Sequence, residues 1–283
     1  MVQVEIAQLR ALVAVVDAGS FDAAARVLHV TPSAVSQRIK VLESSAGAVL
    51  VRRAKPATAT DAGARYVRLG RQLDALLADA TAPEQNVAVP LAVGSDVLAT
   101  WLLPALLALP DGVQVDVRRE DQGHSADLLR AGAVMGAITS DPEAVAGCTS
   151  EPLGVMRYRP RASAAFARRW FPDGATVAAL TVAPVVVFDR KDELQDRYLA
   201  ARSRAVLDPP RHHIPESTTF ALAVRGGLGW AMLPDAQAEG TVVLDERRHV
   251  DVPLHWQQWA LRTPALDAVA DAVRAVAASA LRR

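Results

Sequence analysis

The sequence predicts a multidomain α+β protein: a small helical module ending in a short hairpin, one linker helix, and a larger bilobal α/β domain. Three observations carry that expectation. The chain has 283 residues, more than the usual single domain of about 100–150 residues and enough for two. Its apolar periodicity is helical up to about residue 82, then alternates between strand-like and helix-like runs. Between these regimes, Pro83 to Asn86 breaks the pattern with proline and polar residues, as a boundary does. The expected partition is therefore 1–60, 61–86 and 87–283.

Ile6, Leu9, Val13 and Val16, with Leu12 beside them, mark one face of a first helix that Gly19 stops. Ser20 suits the N-cap of a short second helix over residues 22–28, whose Ala24, Ala25 and Leu28 face inward and allow a close crossing. After a tight connection at His29-Val30, Thr31 suits the N-cap of a third helix, with Pro32 at the first turn, where a missing N–H costs nothing. That helix, over 32–44, is expected to bury Val35, Ile39 and Leu42 and to turn Ser33, Ser36, Gln37 and Lys40 outward.

Two short helices around a brief turn, the second polar and basic outside, form the helix-turn-helix pattern. Hydroxyls and a glutamine near a helix start can reach base edges in the major groove. Arg38 and Lys40 would meet phosphates. The extended runs 49–51 and 57–60 flank Arg52, Arg53 and Lys55, which reads as a winged hairpin gripping the DNA backbone. The DNA-binding candidates are thus Thr31, Ser33, Ser36, Gln37, Arg38, Lys40, Arg52, Arg53 and Lys55.

Composition at first argues the other way. There are 31 basic and 31 acidic side chains, a formal net charge of zero, whereas nucleic-acid-binding domains are usually basic. The charge is unevenly spread, however. Residues 1–82 hold ten basic against seven acidic side chains, and from Arg38 to Lys55 five cations face the single acid Glu43. A neutral total conceals a basic patch on the helix-turn-helix and wing. The lone cysteine, Cys148, excludes an intrachain disulfide. Glu5, Arg10 and Asp17 interrupt any apolar leader, and the most apolar run, 98–109, is shorter than the roughly 20 residues a bilayer requires. The expectation is a cytoplasmic protein with no membrane partner.

The stretch Phe21-Asp22-Ala23-Ala24-Ala25-Arg26-Val27-Leu28-His29-Val30-Thr31-Pro32-Ser33-Ala34-Val35-Ser36-Gln37-Arg38-Ile39-Lys40-Val41-Leu42-Glu43 resembles the helix-turn-helix of LysR-type transcriptional regulators. Leu50-Val51-Arg52-Arg53 and Thr60-Asp61-Ala62-Gly63 are similar to that family's wing and its approach to the linker helix. One departure is Val51, where the family usually has Phe; the wing core is smaller without loss of charge. The resemblance implies double-stranded promoter DNA as a partner, RNA polymerase as a further contact, and no enzymatic activity.

From residue 61 to about 82, Leu69, Leu73, Leu76 and Ala80 recur at spacings of four and three, with Leu77 beside them. This heptad-like seam can pack within the chain or against a second copy. In the LysR-type family the equivalent helix makes the dimer, so the resemblance implies a homodimer or tetramer presenting paired recognition helices.

After residue 87 the elements expected are strands at 89–93, 113–118 and 136–138, helices at 96–109 and 128–131, extended crossings at 155–160 and 256–262, and a final helix over 264–281. A second lobe holds the apolar runs 185–188 and 230–234. Lobe I is expected to comprise about 87–158 and 263–283, and lobe II about 159–262. Two lobes joined by two crossings enclose a cleft, a favoured place for a small ligand. The family resemblance implies the same periplasmic-binding-like arrangement.

Ligands of open α/β folds sit at the carboxyl ends of strands, against helix N-termini. Segments of that kind supply Ser95, Asp96, Thr100 and Trp101, then Thr139 and Ser140, then Asp189 within Phe188-Asp189-Arg190-Lys191-Asp192, and finally Glu216 and Ser217. Hydroxyls and free N–H groups can hold a carboxylate, while Asp and Glu can hold ammonium or guanidinium. That mixture suits a zwitterion with an extra positive charge. Ala99-Thr100-Trp101-Leu102-Leu103-Pro104-Ala105-Leu106, Phe188-Asp189-Arg190-Lys191-Asp192-Glu193-Leu194-Gln195 and Gly227-Leu228-Gly229-Trp230 resemble the lysine/arginine-export branch of the family. The resemblance implies L-lysine or L-arginine as effector, its charged end near Asp96, Asp189 or Glu216, and control of an amino-acid exporter gene.

Other motifs carry less. Gly226-Gly227-Leu228-Gly229 lacks dinucleotide-loop spacing and a nearby Walker lysine. His212 and His213 are adjacent and point apart, and His124, His249 and His255 have no cysteine nearby, so neither a metal site nor a cofactor is expected. An enzyme or solute-binding protein of the same bilobal fold with an appended helical domain is the competing class.

Overall fold

The computed structural model describes residues 4–81, 87–120 and 125–283. The expected boundary at 83–86 and His124 lie outside the described residues. The N-terminal module comprises α1 (Ile6–Ala18), α2 (Phe21–Val27), α3 (Pro32–Ala46), and the antiparallel pair β1 (Val51–Arg52) and β2 (Thr58–Ala59). Gly19 ends α1 in the left-handed region at φ 68°, and Ser20 caps α2 by accepting the Ala23 N–H. Leu9, Leu12, Ala24, Val35, Ile39, Leu42 and Leu50 close one core in which all three helices meet the wing.

Helix α4 (Asp61–Thr81) leaves this module directly from the wing. The Thr60 hydroxyl accepts the Gly63 N–H at 3.0 Å and donates to the Val49 carbonyl at 2.7 Å, so the cap of α4 is stitched to the hairpin. Two ion pairs tie α4 to α1, Arg10 with Asp74 and Arg71 with Asp17. Of the expected seam, Leu73 packs on the N-terminal core, whereas Leu69 and Leu76 stay 40% and 37% exposed.

The remaining elements are β3 (Val87–Val93), α5 (Ser95–Thr100), α6 (Leu103–Leu107), β4 (Val113–Arg119), α7 (Ser125–Arg130), β5 (Gly136–Thr139) and β6 (Cys148–Ala162). Then come α8 (Ala164–Trp170), α9 (Val177–Val182), β7 (Val185–Val187), α10 (Leu194–Arg202), β8 (Arg211–His213), α11 (Ser217–Arg225), β9 (Ala231–Pro234), β10 (Val242–Val243), β11 (Val250–Trp259) and α12 (Pro264–Ala280). Parallel β4, β3 and β5 build one lobe, and β11 joins them antiparallel to β5. In the other lobe β7 and β8 run parallel, and a bridge from Val185 to Trp230 links them to β9. Helix α12 returns to the first lobe, burying Leu266, Val269 and Val273.

Two expectations need correction. The single helix over 96–109 is two helices, because a continuous one would place the Pro104 ring against the carbonyl of residue 100. The amides of Trp101 and Leu102 both turn back to the Val97 carbonyl, and the chain restarts with Pro104 in the first turn of α6. The crossing strands also differ from expectation. β6 spans 15 residues rather than six, and β11 spans Val250–Trp259 rather than 256–262. They pair with one another from Val250 opposite Tyr158 to Trp259 opposite Cys148, with a bulge at Leu254/His255. This mutual pairing, invisible in local alternation, fixes their extent.

Candidate functional site

The N-terminal half of α3 presents a polar face. Thr31 caps the helix by accepting the Ala34 N–H at 3.2 Å, and its hydroxyl lies 2.9 Å from that of Ser33. Thr31, Ser33, Gln37 and Lys40 are exposed; Ser36 and Arg38 are half-buried beside the core positions Val35 and Ile39. On the wing, Arg52, Arg53 and Lys55 are exposed. Arg53 lies over the Phe21 ring at 5.0 Å, so its fork is steered by α2. Arg52 sits 3.8 Å from the fully exposed Asp61 carboxylate, a weak pair in water.

Glu43, the one acid of the basic patch, is withdrawn from this face. Its carboxylate accepts the Leu50 and Val51 amides at 2.8 and 3.3 Å and fixes the base of the wing to α3. Among the described residues, Arg38, Lys40, Arg53 and Lys55 make no ion pair. The surface therefore carries uncompensated cations beside a polar helix start, the combination that phosphate contact and base readout need.

A second site lies between the lobes, a cleft of about 360 Å³, within the range of about 300–1,000 Å³ typical of small-molecule sites. The first lobe contributes the start of α5 and Glu120 at the end of β4; the second contributes the loop from Phe188 to Leu194 and Arg197 of α10. Phe220, Met232 and Val252 supply apolar wall. Asp96, Glu120, Asp189, Asp192 and Glu193 outnumber the two cations of the lining, Lys191 and Arg197. Among the described residues Asp96, Glu120, Asp189 and Asp192 form no ion pair.

Asp96 joins the lobes. One carboxylate oxygen accepts the Ser217 hydroxyl at 2.6 Å and the other accepts the Tyr158 hydroxyl at 2.9 Å, while Gln237 donates to Ser217 at 3.1 Å. Burial, and next the Asp96 charge, push the Tyr158 phenol well above its ordinary value, so it is a permanent donor. Asp192 accepts the Phe188 and Leu194 amides, each at 3.0 Å. Burial raises its pKa despite those bonds, and the neighbouring Asp96 charge adds to the rise. Asp189 orders the same loop by accepting the Lys191 and Asp192 amides at 2.7 and 3.0 Å.

The sequence-derived cleft residues divide by position. Ser95, Asp96 and Asp189 line the cleft, and Ser217 reaches it through Asp96. Glu216 does not line it; it caps α11 by accepting the Thr218 and Thr219 amides, and the Thr219 side chain followed by these amides holds its carboxyl at about 2. The Thr100 hydroxyl turns back to the Asp96 carbonyl at 2.5 Å, and Trp101 is buried in the core. Thr139 is buried and accepts the Asp141 amide at 3.2 Å, and neighbouring Ser140 is also off the lining. Residues not singled out from sequence are Asp192, Glu120, Arg197 and Tyr158. Asp192 had a signal, a carboxylate two residues ahead of a helix start. Tyr158 had none, since its role depends on where a crossing strand passes α5.

Among the described residues no group of three or more His, Cys, Asp or Glu is placed to hold a metal, and no helix is long and apolar enough to cross a membrane. A basic winged helix-turn-helix joined through one long helix to a bilobal domain with a small-molecule cleft defines a ligand-responsive DNA-binding regulator. Residues 6–64 match the bacterial regulatory helix-turn-helix protein, lysR family, and residues 79–278 match the LysR substrate binding domain. The chain belongs to the LysR family of transcriptional regulators, and the enzyme or solute-binding alternative is set aside with that assignment.

Its relatives share the whole architecture. HTH-type transcriptional regulator LysG of Mycobacterium tuberculosis is 45% identical over 99% of this chain and 96% of its own. The crystal structure of ArgP from M. tuberculosis superposes with a TM-score of 0.93 at 45% identity, covering 99% of both chains. The lysine export transcriptional regulatory protein LysG of Corynebacterium glutamicum is 38% identical over 97% of this chain and 98% of its own. Full-length C. glutamicum LysG with bound effector Arg gives a TM-score of 0.85 at 34% identity, covering 99% of this chain and 100% of that one. A second full-length structure of that LysG gives a TM-score of 0.64 at the same identity and coverage.

Proposed function

We propose that this regulator senses a basic amino acid, L-arginine or L-lysine, in the interlobe cleft and thereby controls transcription of an amino-acid exporter gene in the cytoplasm. The observation that carries the reading is the cleft's excess of carboxylates, four of which have no ion-pair partner among the described residues. Such acids are poised for an incoming cation. Asp192 and Asp96 repel one another across the site, and a guanidinium or ammonium between them relieves that repulsion. Arg197 and the Ser95 amide region lie on the lining to meet the α-carboxylate. The arginine bound by C. glutamicum LysG and that protein's lysine-export name support the same effector class.

Thr31, Ser33, Ser36 and Gln37 are proposed to face bases or the adjoining backbone, and Arg38, Lys40, Arg52, Arg53 and Lys55 to hold phosphates, on promoter DNA that RNA polymerase also occupies. A second copy of the chain is the proposed cover for Leu69 and Leu76, one heptad apart on α4. The resulting dimer, alone or within a tetramer, would set two recognition helices on two half-sites.

Isothermal titration with L-arginine, L-lysine and L-citrulline tests the effector. Citrulline keeps the shape of arginine without its charge, so binding of the first two and not the third is expected. Loss of one charge-assisted contact costs about 1.5–3 kcal/mol, so Asp192→Asn should weaken arginine binding by about 10- to 100-fold. Equal binding of citrulline and arginine would overturn the assignment.

A further inference from the structure

The linker helix α4 is gripped from both sides, and two of its arginines make the contacts. Arg71 pairs with Asp17 of α1, in the DNA-binding module, and also donates to the Ala131 carbonyl at 2.9 Å, where α7 of the first lobe ends. Arg68, one turn earlier on the same face, donates to the Ala146 carbonyl. The fit is close: a Cβ at Gly132 would lie 2.9 Å from the Arg68 Cα, and the backbone there has φ 68°. At Gly147, φ 80°, a Cβ would meet the Arg68 guanidinium at 3.4 Å.

The carbonyl held by Arg68 lies where both crossing strands end. Cys148 opens β6 and pairs with Trp259 of β11, and the Ala260 amide donates to the Gly147 carbonyl at 3.0 Å. The buried Gln257 of β11 donates to the carbonyls of Asp141 and Glu143 at 3.0 and 2.7 Å and accepts the Val145 amide at 3.2 Å. The loop under Arg68 is therefore fastened to the strand pair that runs on into the second lobe. The paired strands thus give a continuous backbone path from the second lobe to the seat of Arg68.

We propose that Arg68 and Arg71 are positioning residues: a two-point clamp that sets the effector domain on the linker helix and makes operator binding depend on what occupies the cleft. The coupling half of this proposal rests on the basic amino-acid reading above. The clamp half does not. Arg71 has a double task, one guanidinium shared between Asp17 and the Ala131 carbonyl through two separate nitrogens, a span that the planar fork of arginine holds and the single nitrogen of a lysine does not reproduce. Arg68 donates to one carbonyl, which lysine can replace in part.

The test uses the full-length protein and its Arg68→Ala/Arg71→Ala, Arg68→Lys and Arg71→Lys variants, each checked for native circular dichroism. Small-angle scattering should show a larger radius of gyration for the double variant, and an unchanged value overturns the clamp. Fluorescence anisotropy with duplex DNA from the intergenic region beside its own gene then reads affinity with and without L-arginine. The double variant should keep its titration-measured affinity for L-arginine but lose the effect of arginine on DNA binding. Arg68→Lys should retain part of that effect and Arg71→Lys should not. An arginine effect equal to wild type in the double variant overturns the coupling, and full rescue by Arg71→Lys overturns the shared-fork role. If neither L-arginine nor L-lysine alters DNA binding by wild type, the effector reading and the coupling fail together, while scattering still decides the clamp.

Discussion

Asp192 and Glu216 are both loop carboxylates that accept two backbone amides, yet their acidities move in opposite directions. Glu216 stands in water at the start of α11, and hydrogen bonds from the Thr219 side chain and then from the Thr219 and Thr218 amides hold it at about 2. Asp192 stands in the cleft, where burial outweighs the same kind of bond. For Glu216 the folded value is depressed below 4.5, so its contribution to stability is present above that pH and is lost as pH falls through about 2. Thermal melts of Glu216→Gln should therefore show a modest deficit at neutral pH that vanishes in strong acid. For Asp192 the folded value is raised, so a bound cation must expel a proton in mild acid. Titrations there in two buffers of different ionisation enthalpy should give different apparent heats for L-arginine. Asp192→Asn should abolish the difference. On the other face of the molecule, Gln37→Ala is expected to relax base preference, whereas Arg52→Ala should weaken all sequences alike and lower the salt slope by about one.

Within elements, the join between wing and linker helix leaves no room for a side chain. A Cβ at Gly63 would lie 2.0 Å from the Leu50 carbonyl oxygen, so α4 can leave the hairpin at this angle only because residue 63 has no side chain. Gly63→Ala should therefore destabilise by about 1–3 kcal/mol, as overpacking does, read as a lower Tm. Much of this module was legible in sequence, because its signals are local. Gly19, Ser20, Thr31 and Pro32 mark helix ends by their own chemistry, and Val35, Ile39 and Leu42 mark a face by spacing. What sequence could not reveal was that Glu43 turns inward to the wing amides, since that depends on where residues 50 and 51 arrive. The α/β half was legible as alternation, but not in the length of its long strands. Polar residues such as Thr149, Ser150 and Glu151 blur the pattern of β6, and only its pairing with β11 makes them strand. The cleft followed the same rule. Asp96 and Asp189 could be named because they flank helix starts, whereas Tyr158 and Glu120 depend on the folded course of β6 and β4.

At the scale of the molecule, the zero net charge has its explanation in placement. Among the described residues Arg38, Lys40, Arg53 and Lys55 make no ion pair on α3 and the wing, and Asp96, Glu120, Asp189 and Asp192 make none in the cleft, so the two halves present opposite surfaces to opposite ligands. The exposed leucines of α4 belong to neither. Replacing both Leu69 and Leu76 by lysine should leave the fold intact and lower the assembly state, as sedimentation velocity would show. Retention of the wild-type mass would mean that another face holds the copies together.

Strands β6 and β11 have an engineering consequence. Each is a member of both lobes, paired from Cys148 and Trp259 at one end to Tyr158 and Val250 at the other. One sheet thus runs from the first lobe into the second, with β7 and β8 paired apart from it, and the lobes cannot be exchanged as modules. A biosensor made by grafting the second lobe of another regulator would cut two ladders in mid-course and leave amides and carbonyls without partners. Retuning this sensor to another amine calls instead for changes at the cleft wall, or for transplanting the whole region beyond the linker helix.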